Sequence, residues 1–237
     1  MSRHPRVAVI TGASRGIGRS VARLLARERM AVVCCARDPR PLEEVAAEIR
    51  AAGGEAFAQA CDVADEAQVE RMFEAAADRY GGIDVLVNCA GVFETAPFEE
   101  LSTAQWDHVI NVNLRGLFFC CRSAFPHMRR TGGGSIVNIS SLAGVKGVEK
   151  FPGTAAYVAS KFGVAGLTEI LAVEGRPVGI RVNAISPGAV DTEMLRGTLP
   201  QLKPMITPDD LARLVLYLVS DAGGLLTGSN IEVFSNG

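Results

Sequence analysis

The sequence has almost no excess of either charge: 24 Lys and Arg stand against 26 Asp and Glu, a formal net charge of −2 over 237 residues. That balance gives no electrostatic reason to expect nucleic acid or an acidic membrane as a partner. The basic run Arg23, Arg27 and Arg29 reads as a solvated helix face. Histidine is scarce, and His4, His108 and His127 have no ligand-like spacing to one another or to a cysteine. No metal site is expected. The six cysteines, Cys34, Cys35, Cys61, Cys89, Cys120 and Cys121, form no CxxC pair. They read as reduced structural thiols in a reducing compartment. No stretch reaches the ~18 uncharged apolar residues of a membrane span. The longest candidate, Val109 to Ala124, is broken by Asn111, Asn113, Arg115 and Arg122. With a first strand expected at about Val7, no signal peptide is expected, and the cytosol is the expected location.

Linkers, low-complexity segments and internal repeats are also missing, which points to one domain over residues 1–237. A hydrophobic share of 48% is ample for its core and hints at apolar surface buried between subunits. Short β-branched runs alternate with longer helical stretches. Strands are expected at Val7–Ile10, Ala31–Cys35, Glu55–Ala60, Val85–Val87, Ser135–Ile139, Arg181–Ile185 and Ile231–Phe234. Helices are expected at Gly16–Glu28, Pro41–Ala52, Ala67–Tyr80, Thr103–Arg130, Ala155–Glu174 and Pro208–Ser220. Gly53-Gly54, Gly81-Gly82 and Gly132-Gly133-Gly134 stand where helices should end. The alternation predicts an α/β fold, a doubly wound and mostly parallel seven-stranded sheet with helices on both faces. Strands apolar throughout, such as Val7-Ala8-Val9-Ile10, fit burial on both faces. Ligands should gather at the carboxyl ends of the strands.

Between the first strand and first helix lies Thr11-Gly12-Ala13-Ser14-Arg15-Gly16-Ile17-Gly18. Its glycines permit a tight turn and close backbone approach, and the helix N-terminus offers amide donors to a pyrophosphate. The TGxxxGxG spacing resembles the short-chain dehydrogenase/reductase family, a Rossmann-type fold, and the resemblance extends along nearly the whole chain. An enzyme of this kind preferring NAD usually carries an acidic residue at the end of the second strand. That acid is missing: the run reads Cys34-Cys35-Ala36-Arg37, followed by Asp38 and Pro39 of the next turn. Arg37 together with Arg15 suits the 2′-phosphate of NADP(H). By resemblance, Asp62 and Val63 would lie beside the adenine ring. Asn88, Ala90 and Gly91 match the family's Asn-Asn-Ala-Gly element, with Cys89 in place of its second asparagine, and Asn88 should also tie adjacent strands together. Pro187, Gly188, Val190 and Thr192 match the loop that holds the nicotinamide end.

Tyr157 and Lys161 stand four residues apart, hence on one helix face. A phenol with a pKa of about 10 needs roughly 4 kcal/mol of differential stabilisation to titrate three units lower. A nearby ammonium and an oxidised nicotinamide would both act in that direction. The resemblance makes Tyr157 the proton donor and Ser141 the hydroxyl that bonds the substrate oxygen, with Ser140 as a competitor for that role. Lys161 would bond the nicotinamide ribose. Asn113 would bend its helix and hold a water linking lysine to solvent. The expected activity is NADPH-dependent reduction of a carbonyl to an alcohol, as in 3-oxoacyl-[acyl-carrier-protein] reductase-like members of the family.

The Ser141–Tyr157 connection, Val145 to Gly153, is longer than expected for the family's fatty-acid reductases and should form part of the substrate wall. Glu193 to Ile206 should form a short apolar lid. A small-molecule ketone, aldehyde, sugar or cyclic alcohol fits it nearly as well as an acyl thioester. A homotetramer, or a homodimer, is expected from the apolar helices. The ending Ile231 to Gly237 departs from the family's usual tail and puts one interface in question. Alternatives are an alcohol or sugar dehydrogenase working oxidatively, and a non-catalytic NADP(H)-binding regulator. A nucleotide-sugar epimerase or dehydratase would need a longer chain and a different glycine spacing.

Overall fold

A computed structural model describes residues 5–234. The tail residues Ser235 to Gly237, like His4, lie outside the described residues. Seven strands form one sheet: β1 (Val7–Thr11), β2 (Ala31–Ala36), β3 (Glu55–Ala60), β4 (Val85–Asn88), β5 (Gly134–Ile139), β6 (Ile180–Pro187) and β7 (Asn230–Val233). Their spatial order is β3-β2-β1-β4-β5-β6-β7, and every pairing is parallel. The sheet is thus wholly parallel where a mostly parallel one was expected.

The uninterrupted apolar runs of β1 and β2 follow from this burial. Ala8 and Ile10 of β1 pack with Val32 and Cys34 of β2 on one face of the sheet, while Val7 and Val9 pack with Ala31, Val33 and Cys35 on the other. Successive side chains point to opposite faces, so both sets must be apolar when both faces are covered. The first face is covered by α1 (Gly16–Arg27), α2 (Pro39–Ala51) and α8 (Pro208–Val219). The second is covered by α3 (Glu66–Tyr80), α5 (Gly116–Thr131) and α6 (Ala155–Gly175). Gly81 and Gly132 close α3 and α5 in the left-handed conformation, and Gly53 follows the C-cap residue Ala52 of α2.

Two segments differ from expectation. The helix expected over Thr103–Arg130 is divided into α4 (Thr103–Ile110), a π-helical turn at Asn111–Arg115, and α5. Within this turn the Asn113 side-chain amide accepts from the Val92 N–H and donates to the Val92 carbonyl. Such turns often mark functional sites. Within the expected lid stands a short helix, α7 (Glu193–Thr198), capped by the Thr192 hydroxyl accepting from the Leu195 amide.

Residues Ala155–Val178 form the one described helix long and apolar enough to cross a membrane by length and composition. Here it packs along β6, and its stripe Ala156, Ser160, Lys161, Val164, Thr168 and Ala172 is buried. Packing on the sheet accounts for the buried stripe, while Phe162, Ile170 and Val173 of the same helix stay open.

Candidate active site

The chain order reverses between β1, whose neighbours are β2 and β4, and the strands that follow on the other side. A crevice must open beyond the carboxyl ends of the strands at that point. It holds a cavity of about 950 Å³. Six residues of the glycine turn line it: Gly12, Ser14, Arg15, Gly16, Ile17 and Gly18. Gly12 adopts φ +66°, and a Cβ there would stand 2.8 Å from the Ala90 amide nitrogen. A side chain would therefore be strained by conformation and by contact. The Thr11 hydroxyl accepts from the amides of Cys89 and Ala90, at 3.1 Å each, and ties this turn to the loop after β4. Thr11 was not singled out as a site residue, although it belongs to the turn motif.

The start of α1 carries no side-chain cap and no acidic residue in its first turn. By contrast α2, α3, α4 and α8 are capped by Asp38, Asp65, Ser102 and Thr207. The free amides of α1 face the glycine-lined end of the cavity and suit an anionic pyrophosphate. Arg37 is exposed at the same end, beside Ala36. The Asp38 carboxylate borders the same end of the cavity and accepts from the Arg40 amide at 3.1 Å as the cap of α2. Arg15 reaches across to Glu193 of α7 at 3.4 Å in a solvent-exposed pair. Asp62, Val63, Ala90 and Gly91 line the adjoining walls. Pro187, Gly188, Val190 and Thr192 line the far side. These features fit a nicotinamide dinucleotide.

Two expected site residues stand off the cavity. Asn88 is buried and donates to the Asn138 side chain of β5 at 2.9 Å, which makes it a strand tie. Asn113 spends its amide on Val92 and on the Ser160 hydroxyl at 3.2 Å, and makes no bond to Lys161. Cys89, the departure from the family pattern, lines the cavity, but burial pushes its thiol up to about 12. It is a packing group rather than a nucleophile.

Ser141, Tyr157 and Lys161 come together on one wall. Ser140 and Ser141 part ways at the end of β5: the Ser140 hydroxyl donates to the Lys161 carbonyl at 3.2 Å, whereas Ser141 bonds the phenol of Tyr157. Both serines border the cavity, and Ser141 is the one beside the phenol. Its turn rests on α6 at Gly144, where a Cβ would lie 2.5 Å from the Lys161 carbonyl. Gly144→Ala should therefore displace Ser141, destabilise the protein by about 1–3 kcal/mol and lower turnover together. Urea melts and steady-state rates on the same preparation check this.

Phe93 meets the Tyr157 ring edge-on, at 4.7 Å between centroids and 66° between planes. Lys150 donates to the carbonyls of Leu142 and Val145, at 3.1 and 2.6 Å, and pins the loop that follows Ser141. Neither side chain is announced by a motif, because the family patterns fix Tyr157 and Ser141 but not what packs on them.

Burial raises the Tyr157 phenol above its ordinary value, and its bond to Ser141 opposes this only in part. The expected lowering is thus not supplied by the chain's own residues: desolvation outweighs them. The Lys161 ammonium, 5.6 Å from the tyrosine ring centroid and bonded to the Ile139 carbonyl at 2.9 Å, is pushed down to about 8 by burial.

A lysine held below its unfolded value costs stability while it is charged. That cost is complete below pH 8 and is relieved as pH rises from about 8 towards 10.5, at about 1.4 kcal/mol per unit at most. Lys161→Met should therefore be more stable than the parent at pH 7, with a gap that shrinks as pH rises through this window. Parallel urea titrations of the two proteins check the sign.

The comparisons agree with this geometry. The short chain dehydrogenase family profile matches residues 6–203. A D-threitol dehydrogenase of Mycolicibacterium smegmatis is 38% identical over 96% of this chain and 91% of its own length. A 3-oxoacyl-[acyl-carrier-protein] reductase of Staphylococcus aureus is 39% identical over 95% of each chain. The crystal structure of a dehydrogenase/reductase from Sinorhizobium meliloti 1021 superposes with a TM-score of 0.90 at 35% identity, covering 99% of this chain and 95% of that one. On sheet order, glycine turn and sequence match alike, the chain belongs to the short chain dehydrogenase family of oxidoreductases.

Proposed function

We propose that this chain is an NADPH-dependent reductase that converts a carbonyl to an alcohol, with Tyr157 as the general acid. The observation that carries the reading is the meeting of Ser141, Tyr157 and Lys161 on one wall of a cavity whose opposite end offers uncapped helix amides and Arg37. When bound, the reduced nicotinamide supplies the hydride. The Ser141 hydroxyl holds the carbonyl oxygen beside the phenol, and Tyr157 gives it a proton. Burial holds the phenol above its ordinary value, so it is protonated at neutral pH and carries the proton that the carbonyl oxygen needs. The Lys161 ammonium stands behind the ring and favours the phenolate left after transfer. Asn113 acts as a positioning residue that anchors Val92, next to Phe93, to the π-helical turn.

The reading includes a homotetramer in the cytosol. It is supported by apolar side chains left open on α5 and α6, among them Phe118, Phe162, Ile170 and Val173, which is 62% exposed. Size exclusion with light scattering should report four subunits, and a monomer would overturn that part.

The functional test is NADPH consumption, followed by absorbance, against ketones, aldehydes, an acetoacetyl thioester and quinones, with NADH in parallel. Turnover of one carbonyl class with NADPH in preference to NADH is expected. Binding of NADPH with no carbonyl consumed across the panel would favour a regulator instead.

A further inference from the structure

We propose that the substrate of this site is a neutral ketone with hydrocarbon substituents, rather than a polyol, a ketose or a carboxylate; the inference rests on the carbonyl-reductase reading above. It comes from the walls beyond the catalytic pair. Phe93, Val148 and Phe151 face the cavity from one side, and Met194, Leu199 and Leu202 from the other. Phe151 is 49% exposed and Met194 37%, so these apolar groups lie open around one mouth. Large apolar side chains gathered open around a cavity fit an apolar ligand, which would cover them and release their hydration water.

Two threonines of these walls already spend their hydroxyl protons within the protein. Thr154 donates to the Phe151 carbonyl at 2.6 Å, and Thr198 to the Met194 carbonyl at 2.7 Å. Apart from the Glu149 carboxylate out at the mouth, Ser141 and Tyr157 remain, and both serve the one reacting oxygen. A polyol would bring further hydroxyls into the cavity, each losing water without a partner.

Charge points the same way. The Lys150 ammonium is turned into its own loop, onto the Leu142 and Val145 carbonyls and over the Phe162 ring at 5.5 Å. Arg196, on α7, is paired with Asp191, and Arg15 with Glu193. At the substrate end the exposed carboxylate of Glu149 lines the mouth. A substrate carboxylate would meet that negative charge and find these cations engaged elsewhere.

The test is titration calorimetry on protein saturated with NADP+, a state in which a ketone binds without being reduced. The probes are 4-methylcyclohexanone, its anionic counterpart 4-oxocyclohexanecarboxylate, and the four-carbon ketose erythrulose. The neutral ketone should bind at least about tenfold more tightly than either of the others. Glu149→Gln should narrow the gap to the carboxylate while leaving the gap to the ketose. Equal or tighter binding of the carboxylate or the ketose would overturn the proposal, as would no saturable binding of the neutral ketone. Binding with the expected preference but no reduction by NADPH would preserve the substrate class and sink the reductase reading. Efficient reduction of erythrulose in preference to the cyclic ketone would do the reverse.

Discussion

Tyr157→Phe should lower carbonyl reduction by about 10²–10⁴-fold, the range expected for loss of a positioned general acid, while NADPH binds as before. The substitution is specific because the ring stays. The edge contact with Phe93 at 4.7 Å and the packing of α6 do not involve the hydroxyl, so the fold and the cavity persist. Only the proton and the bond to Ser141 are lost. In the parent the phenol is raised above its ordinary value, so its acid form persists through neutral pH. The reductive rate should therefore hold through the neutral range and fall only at alkaline pH. Single-turnover rates and a fluorescence titration of NADPH on both proteins separate the two effects. Full turnover in the variant would end the proposed role.

Arg37→Asp should weaken NADPH binding by about 10- to 100-fold, the worth of charge-assisted bonds to a phosphate, and leave NADH binding little changed. The residue is exposed beside Ala36, where β2 ends without an acid, and Asp38 is occupied as the α2 cap. The new carboxylate would repel a 2′-phosphate and could accept from a ribose 2′-hydroxyl instead. Arg15→Ala should have a smaller effect, because Arg15 is shared with Glu193. Equilibrium titrations with both dinucleotides check the ranking; equal losses for the two would refute the NADP(H) assignment.

The sheet was legible because its signals are local. Runs such as Val7-Ala8-Val9-Ile10 announce strands covered on both faces, and the glycine turn marks the carboxyl end of β1. Seven strands were expected at nearly their observed places, β6 growing by one residue at its start and two at its end. The break at Asn111–Arg115 was not legible from periodicity, which does not show the bonds between Asn113 and the distant Val92. The six-residue α7 is too short to display helical periodicity. The choice between Ser140 and Ser141 turns on what each hydroxyl meets beyond the end of β5, the Lys161 carbonyl for Ser140 and the Tyr157 phenol for Ser141, and sequence shows neither. The upward push of burial on Tyr157 was not legible for a different reason: sequence shows the neighbouring lysine but not the depth of burial. Asn88 was placed at the cofactor by its motif, yet its partner Asn138 comes from another strand.

The central claim is that a hydride passes from the nicotinamide to a carbonyl carbon at the Tyr157 wall. The most direct measurement uses NADPH carrying deuterium at the transferable C4 position, with a reducible ketone, and mass analysis of the alcohol. The account predicts one deuterium on the carbinol carbon with the parent protein, and almost none formed in the same time by Tyr157→Phe. Alcohol without deuterium at that carbon, or labelled alcohol formed equally fast by the variant, would contradict it.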